Sequence, residues 1–315
     1  MERIVRFDDP ILKAPSPTSF PTYYPRHVTV SDSLMEATER FRGGNTQFLF
    51  VYGSSLYKEG QTSGMLDLGV FIDNSRQFHE ENLANNSPDY GFPHWLMFHE
   101  LYNKRGPSFY HTSLNLGGEV KPAKYFSIQF NQALDELNSW KIYLSGRFHK
   151  PMIVPLVEPF DPKKKEQLDR GINQSRINAA ILALALMEEE FTFRDFAETE
   201  AQISYLGDKR GKYEKDNKHV IIVEECWSEF NDMLPPVMEV LEGAGMIEET
   251  GNGRFAKKVS LCRQEVENFL ERSNKYAKIM NISNALTVGL GRSLNYIKSK
   301  EKRAETSKIP ESKIA

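Results

Sequence analysis

An α+β fold is predicted for this sequence: a mixed-sheet unit, then a winged-helix-like unit, then a C-terminal basic helix. Three observations predict it. Aromatic and β-branched runs bounded by glycine occur early, at 47–52 between Gly43-Gly44 and Gly53, and again at 65–72; both read as buried strands. Helical patterns interleave with them. Later, Gly251-Asn252-Gly253 separates two short strand-like runs directly behind a helical segment at 234–243. A Gly-Asn-Gly turn is a strong hairpin signal, and helix followed by short hairpin is the order of a winged helix.

The elements follow in sequence. Five prolines between positions 10 and 26 mark an irregular lead-in. A short helix is expected at 33–41, a longer one at 76–86, a strand at 124–128 and a helix at about 131–143. Residues 161–167 read as a charged connector, followed by a buried helix at about 172–189, apolar all round in its second half. The segment 193–202 precedes a polar, glycine-containing loop at 206–217, and 220–223 reads as a strand. The division expected is 1–160, 161–265 and 266–315, the last fifty residues being helical and basic.

The chain has 315 residues, 40 Lys+Arg against 43 Asp+Glu and a formal net charge of −3, with 40% hydrophobic residues. Such values exclude collagen-like and wholly disordered classes and give no global argument for nucleic acid. The longest helical apolar run, 179–187, is under half of the roughly 20 residues a membrane span needs. The cysteines are Cys226 and Cys262, so neither a disulfide framework nor a cysteine zinc site is expected. Glu2, Asp8 and Asp9 place acids early, which fits neither a secretory signal nor an acid-poor transit peptide. The cytoplasm is the default expectation.

Chemistry first appears where the strand at 47–52 ends in Tyr52-Gly53-Ser54-Ser55 and the next strand carries Asp67. Small residues after a strand let backbone N–H groups approach a triphosphate. A carboxylate on the adjacent strand can then hold Mg²⁺ against the phosphates. This is the layout of polymerase-beta-like nucleotidyltransferases. Their usual second carboxylate two residues on shares the strand face, but here that position is Gly69. Read alone, the motif equally suits a Gly-Ser turn beside one edge acid.

More motifs follow in order: Phe78-His79-x-x-Asn82-Leu83-x-Asn85, Lys124-Tyr125, Leu137-Asn138-x-Trp140, Leu144-Ser145-Gly146-Arg147-Phe148-His149-Lys150-Pro151, and Ser204-Tyr205-Leu206-Gly207-Asp208-Lys209-Arg210. From about Phe50 to Arg210 this series resembles the phosphatidate cytidylyltransferases of the mitochondrial translocator-assembly-and-maintenance type, which also have bacterial relatives, and the resemblance is to a member of that bacterial type. Gly291-Arg292-Ser293-Leu294-x-Tyr296 is a fainter echo.

The resemblance implies transfer of a cytidylyl group from CTP to phosphatidic acid with Mg²⁺, giving CDP-diacylglycerol and pyrophosphate. It also implies a nucleotidyltransferase domain joined to a winged-helix-like one, without the second strand carboxylate. The expected catalytic residues are Asp67, Lys124 and Asp208, with Asp67 and Asp208 as metal ligands. Tyr52, Gly53, Ser54, Ser55, His79, Asn82, Arg147, Lys150, Tyr205 and Arg210 are expected to bind substrate. Cations suit charge developing on phosphates, Arg by bidentate contact and Lys as a point charge. Plainer alternatives stand beside these: a strand-end acid for Asp67, a turn Asp for Asp208, a braced structural histidine for His79. The segment 90–120 is unassigned, and His94, His99 and His111 read as exposed loop histidines.

Two rival readings are a nucleotidyltransferase with a soluble or macromolecular acceptor and a winged-helix DNA-binding regulator. The helix before the hairpin carries Glu239 and Glu242 and no base-reading Arg or Asn, so no nucleic-acid partner is expected. Homo-oligomerisation stays open. From Glu271 to Arg303 there are eight Lys/Arg and two Glu, and Leu286, Leu290, Leu294 and Ile297 fall on one helix face. A basic helix with an apolar stripe suits an anionic membrane surface. The expected location is therefore cytoplasmic and peripheral, on the inner face of the cell membrane.

Overall fold

The computed structural model describes residues 2–13, 15, 22, 39–41, 43, 45–53, 66–90, 99–100, 103–116, 119–151, 153–206 and 217–288, with 115, 116, 119, 121, 153 and 281–288 by backbone alone. The strands are β1 (Arg3–Val5), β2 (Thr46–Tyr52), β3 (Leu66–Ile72), β4 (Ser108–Leu116), β5 (Glu119–Gln129), β6 (Ile153–Val157), β7 (Glu190–Thr192), β8 (Ile247–Gly251), β9 (Arg254–Lys257) and β10 (Val259–Leu261). The helices are α1 (Ser75–Asn86), α2 (Phe130–Asn138), α3 (Ile142–Ser145), α4 (Pro162–Leu186), α5 (Phe193–Leu206), α6 (Lys218–Glu225), α7 (Trp227–Met233), α8 (Pro235–Gly243) and α9 (Arg263–Val288).

One mixed sheet runs in the order β4-β5-β3-β2-β6. Its β3–β5 pair is parallel and its other pairs are antiparallel. Both faces of β2 and β3 are covered, which explains their largely apolar character. One face packs Leu68, Val70, Tyr110 and Tyr125 beneath Phe78 of α1. The other packs Phe48, Phe50, Phe71 and Phe126 against α2, Phe148 and the start of α4. The α+β expectation is met by this mixed sheet and the helices around it.

Helix α4 joins two cores. Its Leu168 and Ile172 belong under the five-stranded sheet, whereas 177–185 lie in a second core with α5, α8 and β10. Strand β1 pairs in parallel with β10, and Val5 enters that second core. A three-stranded sheet β7-β9-β8 closes it, with the expected hairpin turning at Asn252 and Gly253, both at positive φ.

Several expected elements differ. Residues 161–167 are not a connector: Asp161 caps α4 by accepting the Lys163 N–H, and Pro162 opens the helix. Residues 220–223 are helical, in α6, because Ile222 and Val223 turn into the second core while Ile221 faces solvent. Packing there overrides β-propensity. The helix expected at 131–143 breaks at Ser139, whose Oγ donates to the Glu136 carbonyl and accepts the Lys141 N–H. The unassigned stretch supplies β4. It also corrects two loop histidines: His99 is buried against the Tyr110 hydroxyl, and His111 lies within β4. Of the helix expected at 33–41, only its last turn falls within the described residues.

Candidate active site

The parallel register sets Asp67 of β3 directly against Lys124 of β5. Their side chains meet with Nζ 3.0 Å from Oδ1, both mostly shielded from solvent. On the other side Asp67 pairs with Tyr52 of β2, and Lys124 pairs with His111 of β4. Paired residues share a face, so Tyr52, Asp67, Lys124 and His111 form one row across four strands. Sequence reasoning missed His111, because only the register of β4 reveals it.

Gly53 ends β2 at φ +100°, and a Cβ there would lie 3.0 Å from Asp67 Oδ2. Glycine therefore lets the backbone pass close beside the carboxylate. Position 69 sits on the same strand face as Asp67. A Cβ on Gly69 would lie 2.2 Å from the Phe50 ring and 2.8 Å from that of Phe126. Aromatic core fills the place of a second carboxylate.

Arg147, on the turn after α3, reaches the same face. Its guanidinium carbon lies 5.4 Å from the Tyr52 ring centroid, 5.1 Å from Phe126, 5.2 Å from Phe109 and 5.6 Å from Tyr143. One terminal nitrogen donates to the Tyr143 carbonyl. The rings and that bond hold a desolvated cation beside the Asp67–Lys124 row.

Lys150 points to α5. Its Nζ donates to Ser204 Oγ at 2.5 Å and lies 4.4 Å from the Tyr205 ring centroid. Lys218 lies 5.4 Å from the same centroid. Beneath them Glu200, Arg176 and His149 are buried. Burial pushes the Glu200 carboxyl up to about 8, against the pull of Arg176 and Lys150. Burial likewise depresses His149 to about 3, helped by Lys150 and Arg176.

His79 and Asn82 lie elsewhere. They are buried on the opposite sheet face, beneath α1, where the His79 ring meets the Tyr90 hydroxyl at 2.9 Å and Asn103. Asn82 donates to the hydroxyls of Tyr90 and Tyr125 at 2.9 and 2.7 Å. Burial drives the His79 pKa well below its ordinary value, with His99 adding to it. This network braces the sheet and does not reach the Asp67 row. Ser54, Ser55, Asp208 and Arg210, and the tail positions Leu290 to Ile297, lie outside the described residues.

Among the described residues no group of three or more His, Cys, Asp or Glu converges. Magnesium brought in with a triphosphate needs only one or two protein carboxylates. Asp67, partly accessible in its row, can supply one of them.

The family model described as "Phosphatidate cytidylyltransferase, mitochondrial" matches residues 34–264. The chain belongs to this family. Relatives carrying that same description include one from Caenorhabditis briggsae, 27% identical over 247 residues, which span 74% of each chain. Another, from Homo sapiens, is 26% identical over 248 residues, 72% of this chain and 53% of the relative. A third, from Dictyostelium discoideum, is 32% identical over 160 residues, 49% of this chain and 36% of the relative. These descriptions correct the expected location. The relatives are named as mitochondrial, against the expected cytoplasmic protein on the inner face of the cell membrane. Among the described residues no helix is long and apolar enough to cross a membrane.

Proposed function

We propose that the chain transfers the cytidylyl group of CTP to phosphatidic acid, giving CDP-diacylglycerol and pyrophosphate. The observation that carries this reading is the Asp67–Lys124 pair at 3.0 Å beside Gly53, in a chain of the phosphatidate cytidylyltransferase family. The five-stranded sheet is then a nucleotidyltransferase sheet, and α6 to α8 with the β8–β9 hairpin form a winged-helix-like unit. The division at 1–160, 161–265 and 266–315 is kept, with β1 packing on the second unit.

A phosphate oxygen of the lipid attacks the α-phosphorus of CTP. One P–O bond forms, the α–β bridge breaks, and its electron pair leaves with pyrophosphate. The attacking phosphate is already ionised near neutral pH, so catalysis is positioning and charge neutralisation. Lys124 and Arg147 hold phosphate oxygens as charge develops on them. Arg147 is the more enclosed of the two, with four rings of the described residues around it. Lys150 and Tyr205, which meet at 4.4 Å, bind substrate in this reading. Gly53 with Ser54 and Ser55 lines the triphosphate, and Asp208 and Arg210 complete the site. Mg²⁺, held by Asp67 and Asp208, would neutralise the triphosphate. Because the acceptor lies in a bilayer, the basic stretch 271–303 is our candidate for contact with an anionic surface.

The test is purified protein with Mg²⁺, each of four labelled nucleoside triphosphates, and vesicles with or without phosphatidic acid. A lipid-soluble labelled product with CTP and phosphatidic acid alone is expected. Label transferred to a soluble or protein acceptor, or no lipid product with CTP, overturns the reading.

A further inference from the structure

Two of the rings around Arg147 pack against a helix that lies almost wholly past the matched segment 34–264. These two, Phe109 and Tyr143, form a small core with Tyr276, Ala277 and Met280 of α9. The Tyr276 ring stands edge-on to Tyr143, centroids 5.9 Å apart at 90°. Its hydroxyl donates to the Arg105 carbonyl at 3.0 Å and lies 3.3 Å from Glu136 Oε1. Met280 closes over Gly106, where a Cβ would meet its methyl at 2.9 Å and the Tyr276 hydroxyl at the same distance.

Glu136 is the second element. It is a carboxyl on α2 with no exposed surface, and its Oε2 finds no hydrogen-bond partner among the described residues. The cations acting on it are Lys141 and Arg147, and the Leu144 N–H also reaches it. A buried, half-satisfied carboxyl is costly, and this one lies between the Arg147 turn and the α9 tyrosine. Arg147 itself forms no ion pair among the described residues, and its Nε has no hydrogen-bond partner there. Its place is therefore set by the rings, by the Tyr143 carbonyl, and by whatever fixes Tyr143.

We propose that Tyr276, with Glu136, is a positioning residue for Arg147, which makes the C-terminal helix a working part of the active site. Tyr276 clamps the Tyr143 ring and ties α9 to the Arg105 turn. Glu136 receives the clamp, its carboxyl pushed up to about 7 by burial against the pull of Lys141 and Arg147. A loosened clamp lets Tyr143 shift, and Arg147 shifts with it. The inference rests on the reading of Arg147 as a phosphate-holding group.

The experiment is a double-mutant cycle of Tyr276→Phe and Arg147→Lys, with Glu136→Gln as a second arm. Cytidylyl transfer to phosphatidic acid vesicles is measured at varied CTP, with thermal unfolding alongside. Tyr276→Phe keeps the ring and removes only the hydroxyl. It should lower kcat/KM for CTP by about tenfold through misplacement of the cation, with only a small drop in melting temperature from the lost hydrogen bond. In the Arg147→Lys background neither Tyr276→Phe nor Glu136→Gln should cost anything further, because residues acting through one group are not additive. A full, multiplicative loss in that background overturns the positioning role while leaving the phosphate role of Arg147 intact. A wild-type rate for Tyr276→Phe overturns it too. A wild-type rate for Arg147→Lys overturns the reading of Arg147 first, and the inference with it.

Discussion

Gly69 faces Phe50 across the β2–β3 pair so closely that a Cβ on it would lie 2.2 Å from the ring. That ring cannot yield, because Phe48, Phe71, Phe126 and Phe148 surround it. The strand that carries Asp67 thus keeps one carboxylate on this face for a packing reason. Gly69→Asp should not add a metal ligand. It overpacks the core and buries a charge, which together should cost at least about 3 kcal/mol. Urea unfolding of the variant checks it; a variant of normal stability would mean the rings move aside.

Asp67 and Lys124 depend on each other through a partly exposed contact, so their value to stability is small, at most about 1 kcal/mol. Their value to catalysis should be large. Asp67→Asn keeps the shape and should reduce cytidylyl transfer by about a hundredfold or more, the scale of losing one electrostatic stabiliser. Lys124→Met should do the same. Activity assays with a melting curve on each variant separate the effects. Near-normal transfer by folded Asp67→Asn sinks the assignment.

His79 offers the opposite pattern. It is fully buried between Tyr90 and Asn103, on the sheet face away from Asp67. His79→Ala leaves two buried polar partners unsatisfied and a cavity, a loss of about 3 kcal/mol. The KM for CTP of the molecules that remain folded should be unchanged. A raised KM at normal stability would return His79 to the binding residues.

Much of the sheet was legible because glycines punctuate it: β2 lies between Gly43 and Gly53, where the aromatic run begins and ends. Strand β4 was not, since its alternating polar residues resemble a loop until β5 supplies the pairing partner. With β4 went His111. Asp67 could be picked out from its strand and the preceding Gly-Ser-Ser. Its partner Lys124 was singled out by motif, but their contact depends on a parallel register between distant segments, which no local pattern encodes. The cage around Arg147 was invisible for the same reason: Tyr52, Phe109, Phe126 and Tyr143 come from four elements. His79 misled because a helical stripe of polar residues looks alike whether it faces a ligand or a sheet.

His111 follows from that register. It sits opposite Lys124 on β4, in the row that holds Asp67. A cross-strand neighbour of a phosphate-holding lysine influences its position and charge. His111→Gln should lower kcat/KM for CTP by roughly three- to tenfold, a loss of about 0.7–1.4 kcal/mol in transition-state stabilisation, and leave stability within about 0.5 kcal/mol. Steady-state kinetics beside a melting curve decide it. An unaltered kcat/KM removes His111 from the site.

The buried pair Glu200 and His149 should shape stability against pH in opposite senses. Glu200 ionises near 4.5 when unfolded but stays neutral in the fold up to about 8. The folded state then binds the extra proton, so its contribution to stability falls as pH rises from 4.5 to 8. His149 takes its proton near 6.5 when unfolded and only at about 3 when folded. The unfolded state binds the extra proton, so its contribution is lost as pH falls from 6.5 towards 3. Arg176 and Lys150 face both groups, which ties the two titrations to one cation pair. Glu200→Gln should therefore raise the melting temperature at pH 8 by several degrees and leave it nearly unchanged at pH 4.5. His149→Gln should flatten the acid limb and leave the alkaline one. Thermal unfolding from pH 4 to 8 on both variants reads this directly. Equal destabilisation of Glu200→Gln at both ends would mean that the carboxylate is ionised in the fold and paired with Arg176.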